Sequence, residues 1–333
     1  MRAKGSRWIL LISCLLALSS VVFGQGDAAV DLFVADFQPV STPDYGPMLL
    51  ESDGGEALLE RGRAEMIGFK LDVAEATFRE LDRLEPESPA AYYHLTTISF
   101  WRALMTEREP WYGRFFARAD SLEDRLNQLP NSPWKTHFKA ELSFQRTAIY
   151  AKQERYTKAA LSMRSAYNGY ENNVEAYPEF WESYKGMGLC HIAVGSVPRA
   201  YRWILNLLGF GGSVQQGLDE LELALQYSAY NREESAVYFA IVDAILNERR
   251  EEGIRHVEAL YEAYDHSPMP TYLYAFLLSD ARRAREAEVV LREAVELQQP
   301  QDVDDIPYVE FYLAESLFRQ NRFEEAIPVF EAY

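Results

Sequence analysis

The chain has 333 residues, of which 48% are hydrophobic and 14% aromatic, a composition that excludes a disordered chain and demands a buried core. That length accommodates one extended array or two compact domains. The formal charge of −18 repels phosphate backbones, so nucleic acid is not expected as a ligand, and the acidity is read as a solubility device.

Residues 1–24 carry Arg2, Lys4 and Arg7, an apolar run from Trp8 to Phe23 broken by serines, and the small residue Gly24 before Gln25. This predicts a secretory signal peptide cleaved after Gly24, and hence a secreted or periplasmic chain. The apolar run falls short of the roughly 20 residues a spanning helix needs. Leu11-Ile12-Ser13-Cys14 also has the form of a bacterial lipoprotein box, so membrane association is expected only if Cys14 is lipidated. The short signal followed by Gln25 has a bacterial look. Cys190 is then the lone thiol of the mature chain, which allows no intramolecular disulfide and reads as a small packed hydrophobe.

Residues 25–55 hold Pro39, Pro43, Pro47 and the pair Gly54-Gly55, and no helical period survives there. They are expected to form an N-terminal lead segment, with an extended piece from Ala29 to Phe37. Helical periods begin at Glu56. A first pair to Leu84 places Gly62, Ala74 and Phe78 at small, small and aromatic positions, with Pro86 closing the unit. A second carries Tyr92, Leu95 and Leu122 and ends at Pro130, ten residues beyond a 34-residue period, the extra residues lying around Glu107 to Arg114 or in longer helices. A third stripes Trp134, Phe138, Leu142 and Ile149 on one helix and Tyr156, Ala159, Met163 and Ala166 on the next.

The fourth pair is read from Tyr184, Gly188 and His191, then Ala200, Ile204 and Leu207, with a break at GFGGS and an additional helix from Val214 to Ser228. A change in superhelix direction is expected at that break, dividing the array into halves 56–208 and 209–333. Asn231 opens the next helix, with Val237, Ile241, Ala244 and Ile245, and its partner carries Ile254, Val257 and Leu260. Tyr272, Ala275, Ala287, Leu291 and Ala294 mark another pair, and Phe311, Ala314, Leu317, Phe323, Ala326, Ile327 and Phe330 the last. The final helix stops at Tyr333 without a polar closing turn, so the natural protein is expected to continue or that face to dock.

With these residues at these spacings, 56–333 resembles the tetratricopeptide repeat superfamily. The resemblance implies an all-α fold, a right-handed α-α superhelix of about seven helical pairs, with a concave surface that holds an extended chain. More locally, Pro198, Arg199, Leu207, Leu208, Gly209, Phe210, Gly211, Gly217 and Leu218 are similar to a pattern in the eukaryotic tetratricopeptide 39 and fungal inclusion-clearance family. The signal peptide departs from that family, so its intracellular roles are not carried over.

Catalytic chemistry is not expected. His94, His137, His191, His256 and His266 form no zinc-ligand spacing. Gly209, Gly211 and Gly212 follow a helix rather than a strand and are expected to end it, with Ser213 capping the next. Asp302, Asp304 and Asp305 are expected to cap the helix that starts near Pro307. No cofactor or metal is predicted. The working surface is assigned to aromatics of the second repeat, Trp101, Trp111, Tyr112, Phe115 and Phe116, together with His191. The function expected is that of a non-catalytic scaffold for a protein or peptide partner. The alternative is an envelope-associated carrier of lipid or another apolar ligand.

Overall fold

The structure, a computed structural model, describes Leu50 and residues 52–198, 203, 205, 209–246, 249–264 and 266–333. The expected signal peptide, Cys14 and almost all of the expected lead segment lie outside these residues. Among the described residues the chain is all-helical, with fourteen long helices and no strand. They are α1 (Asp53–Ile67), α2 (Leu71–Leu84), α3 (Ala90–Thr106), α4 (Glu109–Gln128), α5 (Pro133–Lys152), α6 (Tyr156–Ala176) and α7 (Glu182–Ser196). After them come α8 (Val214–Tyr227), α9 (Arg232–Leu246), α10 (Arg250–Ala263), α11 (Pro268–Asp280), α12 (Ala284–Leu297), α13 (Tyr308–Arg319) and α14 (Phe323–Ala332).

The helices pack as consecutive hairpins, α3 on α4, α5 on α6, α11 on α12 and α13 on α14. What repeats most plainly is the turn inside a hairpin. Phe69, Glu154, Arg282 and Asn321 each adopt a left-handed backbone, with φ of 51°, 57°, 62° and 62°. The N–H of the next residue reaches back five positions, from Lys70 to Glu65, Arg155 to Tyr150, Arg283 to Leu278 and Arg322 to Leu317. This six-to-one hydrogen bond satisfies a helix-end carbonyl that would otherwise be left open, and it reverses the chain in three residues. The residue that donates is basic each time. The ten extra residues of the second repeat lengthen helices, since only Glu107 and Arg108 separate the 17-residue α3 from the 20-residue α4.

The chain divides into two compact units: Phe78–Tyr238 with the described residues up to Leu59, and Glu60–Thr77 with Phe239–Tyr333. In the first, Phe78, Phe100, Phe115, Phe138 and Tyr170 are fully buried. Burial of such rings, at about 2–3 kcal/mol each, is the main term holding the hairpins together. In the second, Ala275, Leu278, Leu291, Ala314 and Leu317 fill the same role. Here the turn arginines reach the preceding hairpin: Arg283 pairs with Glu251 of α10 at 3.2 Å, and Arg322 with Glu288 of α12 at 2.6 Å.

Among the described residues α7 packs against α6 and, more extensively, against α8, with residues 197–213 between α7 and α8. The contact with α8 is close because Gly188 and Gly217 face each other: a Cβ on either would lie 2.6 or 2.4 Å from the other's carbonyl oxygen. Ala200, Ile204 and Leu207, expected to form the partner of α7, lie outside the described residues, as do Arg199 and Leu208 of the more local pattern. One expectation is corrected, and it concerns the aspartates. Asp304 caps α2, not the helix after it: its carboxylate accepts the Leu71 N–H at 3.1 Å, its own N–H donates to the Phe69 carbonyl at 2.8 Å, and Asp302 pairs with Lys70 at 2.7 Å. Such a cap has no sequence spacing to betray it, because 233 residues separate its two sides.

Candidate functional site

Two polar clusters converge on α7. The inner one surrounds Lys185, whose side chain is 1% exposed. Its ammonium lies 2.6 Å from a carboxylate oxygen of Glu234 on α9 and 3.4 Å from one of Glu141 on α5. Tyr170 of α6 donates to Glu141 at 2.8 Å and Tyr93 of α3 at 3.2 Å. Glycine at 186 makes room for this, since a Cβ there would lie 2.1 Å from Cζ of Tyr170. Burial depresses the Lys185 ammonium, but Glu141 and Glu234 outweigh it and hold the group above its ordinary value. Burial likewise pushes the Glu141 carboxyl up, and Lys185, His137 and the Tyr170 hydroxyl together bring it below the usual range. His137 is pushed down to about 4 by burial, with Lys185 adding to the effect and Glu141 opposing it. The Tyr238 hydroxyl is buried beside this cluster without a hydrogen-bond partner among the described residues.

The side chains of Lys185, Glu141 and Glu234 are 1%, 1% and 4% exposed, so the cluster ties together residues of five helices in the interior. Beside it, Glu182 gathers the turn before α9. Its carboxylate accepts from the Ser228 hydroxyl and from the backbone N–H of Ala229, Tyr230 and Asn231, at 2.5 to 3.1 Å. Sequence reasoning misses Glu141, Lys185 and Glu182, because nothing in a helical period distinguishes a buried charge from an exposed one.

The outer cluster is open. His191 lies two turns along α7, and its Nδ1 is 2.6 Å from a Glu220 oxygen on α8. Around Nε2 stand the Tyr167 hydroxyl of α6 at 3.3 Å and the Gln216 amide at 3.5 Å. Gly212, at φ 122°, closes the turn over the imidazole; a Cβ there would be 2.3 Å from the ring. Ser213 caps α8 as expected, accepting the Gln216 N–H at 3.1 Å. Phe210 is buried edge-on to Tyr167, with ring centroids 5.5 Å apart. The result is a cavity of about 330 Å³ walled by Tyr167, Glu171, Glu175, His191 and Glu220, with Met187 in its apolar part.

A second cavity of about 380 Å³ lies on the other side of α6, where Asn168, Asn172 and Ser165 face Lys135, Lys139 and Asn131. Its character is neutral to basic, whereas the His191 cavity is acidic. Residues 165, 168, 169 and 172 line one and 167, 171, 174 and 175 the other, so a single helix presents both.

Of the aromatics assigned from sequence, Trp101, Tyr112 and Phe115 are 2%, 6% and 0% exposed and face the core. Trp111 is half-buried between the guanidinium groups of Arg102 and Arg114, 4.8 and 4.5 Å from its ring. Phe116 stacks on Tyr150 at 5.0 Å. His191 alone of the six lines either cavity. Cys190 is fully buried and its thiol is pushed up by burial, as suits a packed residue. Among the described residues no group of His, Cys, Asp or Glu is placed to hold a metal ion, and no helix is long and apolar enough to cross a membrane.

No protein-family model and no curated protein matches the chain. Among solved structures it is similar to a tetratricopeptide repeat protein from Parabacteroides merdae, at 15% identity over 84% of this chain and 92% of that one, with a TM-score of 0.42. On its own hairpins and their recurring turn, the described part of the chain is an all-helical array of antiparallel helix pairs.

Proposed function

We propose that the chain is a secreted or periplasmic scaffold that binds a protein or peptide partner and performs no catalysis. The observation that carries this reading is α6, a helix of the array with a cavity on either side, each lined by polar side chains and apolar surface together. Arrays of this type suit partner binding because rigid helices hold spaced contact groups in register for an extended chain. Export rests on residues 1–24 alone. The carrier reading draws no support from Trp101, Tyr112 and Phe115, which face the core.

Affinity purification of the tagged chain from envelope and extracellular fractions, followed by mass spectrometry, tests the proposal. A stoichiometric protein partner is expected, lost when the walls of both cavities are substituted. Copurified lipid without protein would favour the carrier, and recovery from the cytoplasm alone would reject export.

A further inference from the structure

In a chain of formal charge −18, the N-terminal ends of α4 and α6 and the C-terminal end of α5 carry a surface of the opposite sign. Arg108, Arg114, Arg155 and Lys158 are exposed there, and among the described residues none of their side chains has an ion pair or a hydrogen bond. Contacts join them into one patch. Lys152 pairs with Glu107 at 2.7 Å, which brings the turn before α6 against the turn before α4. Phe116 of α4 stacks on Tyr150 of α5 at 5.0 Å, and the Lys158 ammonium lies 5.5 Å from the centre of the Tyr150 ring. With Glu107 spent on Lys152, the acids next to these cations in sequence are Glu109 and Glu154.

A second observation concerns Arg114. Its guanidinium lies over the Trp111 ring, 4.5 Å from the centre. A guanidinium resting on an aromatic face is held by that face, and its N–H edges stay free for an acceptor. Next to it, nothing stands within 4 Å of where a Cβ on Gly113 would be, so a ligand can approach the α4 backbone closely. We propose that this patch binds an acidic, extended segment of the protein partner, an assignment that rests on the chain being a partner-binding scaffold. Arg114 takes a carboxylate through paired N–H bonds, and Arg108, Arg155 and Lys158 take neighbouring ones. Tyr156, 67% exposed between Arg155 and Lys158, adds an aromatic contact. A bilayer is the poorer fit, because a peripheral protein inserts open apolar rings, whereas Trp111 and Phe116 are half-buried under a cation and against Tyr150.

The test uses the purified full chain and two fluorescent peptides, one of alternating glutamate and serine and one with glutamine in place of glutamate. The overall field of the chain repels the first, so its binding requires a local patch. The glutamate peptide is expected to bind about tenfold more tightly than the glutamine peptide, a preference that weakens with salt. Arg114→Gln with Lys158→Gln should cut the preference to about twofold with unchanged circular dichroism, and Arg255→Gln with Arg285→Gln, at exposed cations of the second unit, should leave it intact. Equal binding of both peptides, a preference that survives the first pair of substitutions, or one lost equally in the second would overturn the proposal. Recovery of a stoichiometric partner in the purification above would then still uphold the scaffold. Binding of phosphatidylglycerol vesicles without a peptide preference, lost in the first pair, would assign the patch to a membrane and likewise overturn the acidic segment. No peptide preference together with no copurified protein rejects both readings.

Discussion

Lys185 and His191 sit six residues apart on one helix, each is held by glutamate, and a tyrosine of α6 meets His191 itself in one case and the Glu141 partner of Lys185 in the other. The two clusters are built from nearly the same chemistry and differ in access. Around Lys185 the helices α3, α5, α6 and α9 close completely, and nearly every polar group spends its hydrogen bonds on the fold. Around His191 the partner helix α8 is entered through a glycine-rich turn, which leaves a cavity. The difference teaches that a neighbouring cavity, and not residue type, separates a structural ion cluster from a candidate binding site.

Substitutions at seven positions, one of them joined to a pH series, can break or sharpen that contrast. Lys185→Met strands two buried carboxylates and is expected to cost about 3–5 kcal/mol in urea unfolding. Adding Glu141→Gln and Glu234→Gln should recover about half, whereas a loss below about 1 kcal/mol would show that the cluster is hydrated and not sealed.

His137 gives the next largest effect. Folded, it stays neutral down to about 4, while the unfolded chain takes up its proton near 6.5. The unfolded state therefore binds more protons in this window, and stability falls as the pH drops from about 6.5 to 4, by up to about 3 kcal/mol, and gains nothing above it. His137→Phe should flatten this part of the stability profile. An unchanged slope would place the acid sensitivity in other groups.

Gly188→Ala tests the α7–α8 approach, and over-packing at a site where a Cβ would sit 2.6 Å from the Gly217 carbonyl should cost about 1–3 kcal/mol. It should also enlarge the His191 cavity, seen as a shift in the His191 ring resonances. Asp304→Ala removes a cap in the second unit and should cost about 1 kcal/mol, with faster amide exchange at Leu71. His191→Gln, at the open cluster, is expected to change stability by less than about 1 kcal/mol. If it proves as costly as Lys185→Met, the outer cluster is structural too and the contrast collapses.

Much of the fold was legible from residues alone. Ala74, Phe78, Leu95, Phe138, Ala166 and Leu291 stood out by helical period and are buried where the repeat needs them. The turn residues were less so, because a left-handed Phe69 or Arg282 carries no glycine to announce it. Of the candidate site, His191 was marked by its repeat position, and Glu171, Glu175 and Glu220 were not. An acid on a helix face looks the same in sequence whether it borders solvent or a cavity. The aromatic-rich second repeat drew attention by composition, but composition cannot tell a ring that fills a long hairpin from one that waits for a ligand.

By itself the sequence determined that the chain is a succession of amphipathic helices with small residues at the crossings, because burying an apolar stripe requires a 3.6-residue period wherever the helix lies. It also determined where helices stop, since proline, glycine and capping serine act locally. Only the tertiary structure decided that α8 packs on α7, that Asp304 caps a helix 233 residues away, and that Lys185 is sealed while His191 faces a cavity. The physical reason is common to all three. Each depends on which surfaces meet across long sequence separations, and that is set by the summed packing of many side chains, not by any local pattern.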